Sequence, residues 1–172
     1  MSLEPRLIPT GSQTVGPFFR IGLEHLIDSV APTERAGLDA ITIRGQVLDR
    51  DRAPVVDAML EFWSSSDSGF ARAATDDDGT FCVQMNRPSS ITSANGETQA
   101  PHMLVLVFAR GLLRHLISRV YLSGEPRNGT DPVLSAISAE RRHTLIAQSE
   151  NDDSFRWDVI LQGEYETVFF AW

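Results

Sequence analysis

The chain has 172 residues, enough for one domain that removes roughly two-thirds of its unfolded surface from water. Fifteen basic residues against 23 acidic leave a formal charge of −8, which excludes an electrostatic grip on nucleic acid or on an anionic membrane surface. All fifteen are arginine, so Schiff-base and ammonium-base chemistry on lysine is excluded as well.

The opening "MSLEPRLIPTG" lacks the basic start and apolar segment of a secretory signal. The longest apolar run, Met103 to Phe108, is too short to span a bilayer. A soluble cytoplasmic protein is therefore expected. "TGSQTVGPFF", Thr10 to Phe19, concentrates glycines and hydroxyls ahead of two phenylalanines, and reads as an arm stapled to the core by its aromatics. Its "GSQTVG" has neither the Lys-Ser/Thr end nor the helix signal of a phosphate loop.

Strand signals follow. "AITIRGQVL" places Ile41, Ile43 and Val47 on one face, and "DRDRAP" supplies a turn. "DAMLEFW" sets Ala58, Leu60 and Phe62 against Met59, Glu61 and Trp63, so the two segments are expected to form a hairpin. "SSSDSG" reads as a loop with no nucleophile elbow around Ser64, Ser65 and Ser66. Asp76, Asp77 and Asp78 before Gly79 lack the spaced ligands of a calcium loop and predict a solvated turn. Phe81, Val83 and Met85 then alternate as a strand. Within it the lone Cys82 suits a small buried or half-buried structural residue, without the electropositive setting of a reactive thiol.

Arg87 to Gln99 reads as a polar loop. "HMLVLVF" is apolar on both faces, as in a central strand, and "RHLISRVYL" is its expected antiparallel neighbour. Asp131 and Pro132 predict the cap and first turn of a short helix. Phe155, Trp157, Val159 and Leu161 alternate strictly, and the chain closes on "ETVFFAW". Roughly six to eight short strands with little helical periodicity predict an all-β antiparallel sandwich with an N-terminal arm and one or two short helices. No internal repeat or linker divides it. One domain is expected over 1–172, with 1–37 as arm and loop and 38–172 as the sandwich.

The histidines are His25, His102, His115 and His143, and none forms an H-x-H or H-E-x-x-H pair. His102 and His115 flank the expected strand pair, so a two-histidine metal site and a satisfied structural role both stay open for them.

"SQTVGPFF" and "APHMLVLVFARG" together, with "GQVLDRDRAPVVDAMLEFW", "RHLISRVYLSGEP", "DPVLSAI", "RRHTLIA" and "FRWDVILQGEYETVFF", run in the order found in the intradiol ring-cleaving dioxygenases. The chain resembles that family over most of its length, and most of all those members' α chains. The resemblance implies a β-sandwich and an enzyme of related α and β chains. In such an enzyme the β chain holds a non-haem Fe(III) with two tyrosines and two histidines. Phenolate and imidazole suit a ferric ion that leaves a position for a catecholate. The implied reaction inserts both atoms of O₂ and opens protocatechuate between its hydroxyl-bearing carbons to 3-carboxy-cis,cis-muconate, a step of the β-ketoadipate pathway.

Against that pattern the chain departs at the ligands. His102 matches the first histidine of the family's H-x-H strand, but Leu104 stands at the second. No tyrosine occurs in "SSSDSGFARAAT" after Trp63, where a shortened loop replaces the first tyrosine's segment, nor in Arg87 to Gln99. Tyr121 and Tyr165 match other family positions. The resemblance thus implies a non-catalytic subunit with His102 as a vestigial ligand, no catalytic residue and no metal of its own. Residues of this type line the mouth of a pocket shared with the β chain, which points to Thr14, Pro17, Phe18 and Arg110. Arg110 would offer its guanidinium to the substrate carboxylate and Phe18 would exclude water. A sandwich serving as a binding or scaffolding module without an enzyme partner is the competing reading.

Overall fold

The computed structural model describes residues 16, 18–27, 39–64 and 69–171. Among these are eleven strands, with short helical turns ahead of β1 and between β8 and β9. Helix α1 (Phe18–Leu23) is followed by β1 (Ala40–Leu48), β2 (Met59–Trp63), β3 (Phe70–Ala74) and β4 (Thr80–Asn86). A small hairpin, β5 (Ile91–Thr92) with β6 (Thr98–Gln99), leads to β7 (His102–Phe108) and β8 (Leu116–Leu122). Helices α2 (Pro132–Ala136) and α3 (Ala139–Arg142) precede β9 (Ile146–Asn151), β10 (Ser154–Arg156) and β11 (Val159–Ile160).

Two layers face each other across one core. In the first, β1 pairs antiparallel with β4 and parallel with β10 and β11. In the second, the order is β3-β2-β7-β8, all antiparallel. Strand β9 joins them, pairing with β8 at its start and with β10 further on. Period-two patterning explains the core: Ile41, Ile43 and Val47 of β1 and Phe81, Val83 and Met85 of β4 meet Leu60, Phe62, Met103, Val105 and Val107 of the opposite layer. The alternation expected of β1, β2 and β4 is present, and Phe155, Trp157 and Val159 are all buried. The ring of Phe62 lies 6.0 Å from that of Phe81 and 6.5 Å from that of Trp157.

Several expectations need correction. The hairpin of β1 with β2 does not form: Val55 N donates to Val47 O at 2.9 Å, and the chain then crosses to the other layer. Pairing with β4 and the C-terminal strands uses up both edges of β1. Strand β3, "FARAA", was not anticipated because alanine carries little strand propensity, yet Ala71 and Ala73 face the core. The polar loop from Arg87 contains the β5–β6 hairpin. Cys82 is exposed; the same alternation that buries Phe81 and Val83 turns it outward. Strand β7 buries Met103, Val105 and Val107 completely, while Leu104, Leu106 and Phe108 are only half-buried on the outer face.

The solvated turn is as expected. Asp76 Oδ1 accepts from Asp78 N and Thr80 N at 2.9 and 2.8 Å. Asp131 caps α2, its Oδ1 accepting from Val133 N and Leu134 N at 2.9 and 2.8 Å.

Candidate functional site

Of the four residues singled out by the resemblance, Arg110 follows the C-terminal end of β7 and Phe18 opens helix α1. Beyond Phe108 the strand ends at Ala109 and Arg110, and Gly111 turns the chain at a φ of 86° that favours glycine. Arg110 Nε lies 3.3 Å from Asp57 Oδ2; the arginine side chain is 62% exposed and the aspartate 9%. Helix α1 sits at the same rim, with the ring of Phe19 5.9 Å from that of Phe108. Arg20 Nη1 donates to Val56 O at 3.1 Å, anchoring the helix to the segment that bears Asp57. Phe18 next to this anchor is 73% exposed. Phe18 and Arg110 are thus gathered at one rim, whereas Thr14 and Pro17 lie outside the described residues.

The segment behind this rim is tightly held. Thr75, fully buried, donates through Oγ1 to Val55 O at 2.7 Å and accepts from Ala58 N at 2.9 Å. Thr75 N donates to Ala58 O at 2.9 Å. Sequence reasoning missed Asp57 and Thr75. The available signal was a carboxylate inside the apolar run "VVDAML", which has no solvent-facing place to go.

At the opposite end of β7 the arrangement is different. His102 is opposite Tyr121 in the β7–β8 register and Leu104 is opposite Arg119. His102 is buried, its ring 5.3 Å from that of Tyr121, and Nδ1 donates to Ala100 O at 2.7 Å. Burial holds its imidazole below the ordinary value of 6.5, with the Ala100 hydrogen bond opposing. Tyr121 is fully buried and donates to Asp131 Oδ1 at 3.2 Å. Burial pushes its phenol up to about 12, against the opposing influence of Arg119. Arg119 Nη1 reaches Gln99 Oε1 at 2.8 Å and Tyr121 Oη at 3.4 Å. Ala100 N donates to Asp131 Oδ2 at 2.7 Å, closing the network.

This donor set does not fit the Fe(III) of the resembled family. A ferric ion needs several anionic or imidazole donors converging on one point. Here a single imidazole is committed to a carbonyl at Nδ1, a leucine takes the next place on that face, and a guanidinium stands across from it. Tyr121 keeps its proton against Asp131, so it offers no phenolate. Among the described residues, no group of three or more His, Cys, Asp or Glu side chains is placed to hold a metal.

The two-histidine alternative fails on geometry. His115 adjoins Phe108, ring to ring at 5.4 Å, and six strand residues at about 3.4 Å each put His102 on the order of 20 Å away. Among the described residues no helix is long and apolar enough to cross a membrane.

Between the two ends, the outer face of β2, β3 and β7 presents exposed aromatics. The rings of Trp63 and Phe70 lie 4.5 Å apart between centroids, tilted by 57°, and the residues are 46% and 39% exposed. Beside them Arg72 Nε donates to Glu61 Oε1 at 3.0 Å.

Comparison with known proteins agrees with this architecture. No family model matches the chain. The chain is 36% identical to the protocatechuate 3,4-dioxygenase alpha chain of Burkholderia cepacia, over 94% of this chain and 96% of that protein. It is 34% identical to the alpha chain of the same name from Pseudomonas putida, over 95% and 97% respectively. Among solved structures, the dioxygenase domain of a dioxygenase and carbohydrate-binding fusion from Streptomyces sp. SirexAA-E matches with a TM-score of 0.56. That match has 21% identity and covers 78% of this chain and 84% of that one. Near full-length identity at this level, on a sandwich shared with intradiol dioxygenases, places the chain in the protocatechuate 3,4-dioxygenase alpha-chain family.

Proposed function

We propose that the chain is the non-catalytic subunit of a heteromeric protocatechuate 3,4-dioxygenase of the cytoplasm, and that it completes a pocket whose Fe(III) is held by a beta chain. One observation carries this reading: a chain of the alpha family sets Leu104, faced by the Arg119 guanidinium of the next strand, where a ligand strand would present imidazole. The beta chain then supplies iron and oxygen chemistry, and this chain shapes the pocket. Arg110 meets the carboxylate of protocatechuate, Phe18 covers the ring's approach and keeps water out, and Thr14 and Pro17 complete the wall.

The test is to purify the chain alone and co-expressed with a beta homologue, then measure iron and O₂-dependent protocatechuate cleavage. The reading expects iron and activity in the heteromer and neither in the solitary chain. Stoichiometric iron on the solitary chain overturns it. Failure to associate with beta homologues favours a scaffolding module instead.

A further inference from the structure

The carboxylate of Asp57 is the feature that the fold leaves least explained. The side chain is only 9% exposed, one oxygen lies against Arg110 Nε, and the other, Oδ1, has no hydrogen-bond partner among the described residues. A buried charge with so few donors is a poor stabilising device, because its lost hydration is barely replaced. Its surroundings make it a good positioning device. The segment that carries it is clamped on both sides by Thr75 through Val55 O and Ala58 N. The same segment anchors α1 through Val56 O.

From this arrangement we infer that Asp57 is a positioning residue for substrate recognition: it holds the Arg110 guanidinium by Nε so that the remaining nitrogens face the pocket and meet the substrate's carboxylate. The inference rests on the pocket role of Arg110 proposed above. A guanidinium is a planar fork with five N–H donors. Contact through Nε occupies one side of that fork and leaves donors for a second carboxylate. Arg110 is otherwise a long, largely exposed side chain at a turn, and an unanchored arginine would lose rotamer freedom each time it met a ligand. A buried, rigidly mounted anion removes that cost in advance and selects the orientation. Val55, Val56 and Asp57 therefore fix both walls of the rim, the helix bearing Phe18 and the arginine.

The test uses the assembled heteromer with protocatechuate and with catechol, the same ring without the carboxylate. Asp57→Asn keeps the side chain's shape and removes its charge. It is expected to raise KM for protocatechuate roughly five- to tenfold and to leave KM for catechol unchanged. Arg110→Ala is expected to show a larger effect of the same selectivity, and the double variant to match Arg110→Ala, since Asp57 acts only through the arginine. Asp57→Glu, which restores the charge, is expected to recover part of the loss.

If Arg110→Ala discriminates between the substrates while Asp57→Asn does not, the inference is overturned and the pocket reading stands. Equal KM changes for both substrates in Asp57→Asn, or failure of that variant to assemble, assign Asp57 a structural role and also overturn it. No effect of Arg110→Ala on protocatechuate removes the pocket reading, and the inference with it.

Discussion

Leu104 and Arg119 are direct cross-strand partners on the outer face of the β7–β8 pair. An apolar side chain and a cation side by side leave neither the lone pairs nor the field that a ferric ion requires. Arg119 is also built in, reaching Gln99 Oε1 and lying 5.8 Å from the centroid of the Phe170 ring.

Restoring the H-x-H pattern by Leu104→His should therefore not restore a metal site. The solitary Leu104→His chain is expected to hold far less than one ferric ion per molecule, measured by metal analysis after dialysis. One tightly held iron per chain would show that the guanidinium opposite is no barrier.

His102 is expected to make stability fall on mild acidification. Its folded-state value lies below the ordinary 6.5 through burial, so the unfolded chain takes up a proton that the folded chain refuses. Its contribution is present above 6.5 and is lost as pH falls below that value. In His102→Asn the amide still donates to Ala100 O but does not titrate, so urea unfolding across this range should be less pH-dependent than in the parent. Identical pH dependence in both proteins would rule His102 out as the titrating group.

Tyr121 works on the alkaline side. Its value is raised from 10.0 to about 12, chiefly by burial, so its share of stability is present below 10 and is lost as pH rises toward 12. The chain has two tyrosines, so Tyr121→Phe should remove the late phenolate step from an ultraviolet titration. It should also cost about 1–3 kcal/mol at neutral pH, because Asp131 Oδ1 loses a buried donor. A titration curve unchanged by the substitution would contradict the buried hydrogen bond.

Gly45, in the middle of β1, has no room for a side chain. A Cβ there would stand 1.7 Å from Trp157 O and 2.6 Å from its carbonyl carbon. These are backbone atoms of the segment whose Trp157 N donates to Arg44 O, so they cannot swing aside. Gly45→Ala is expected to cost on the order of 3 kcal/mol or more in thermal or denaturant unfolding. A change below about 1 kcal/mol would mean that β1 and the Trp157 backbone separate easily.

Period-two alternation made β1, β2 and β4 legible in the sequence, because hydrophobicity reports which face is inward whatever the strand's neighbours are, while β7 was legible as an unbroken apolar run. Pairing was not legible. Residues 41–47 show the same pattern whether β1 pairs with β2 or with β4 and the far C-terminal strands, and only assembly of both layers decides. Asp131 was readable as a cap because its role is local, yet its contacts with Tyr121 and Ala100 arise from segments 10 and 31 residues away. Arg110 and Phe18 came from the family resemblance. Asp57 was visible only as a carboxylate inside the apolar run "VVDAML", and its role was not, because Arg110 reaches it only once the fold is assembled.

The pairing of β1 also sets the order of events in biosynthesis. Thr42, Ile43 and Arg44 align in parallel with Ser154, Phe155 and Arg156, and Val47 and Leu48 with Val159 and Ile160. Ribosomal synthesis delivers β1 more than a hundred residues before these partners. Until they emerge, one edge of β1 is an open template for strand pairing with other chains. Loop closure of that length slows folding. The layer around β1 therefore closes only after residues 154–160 have left the ribosome.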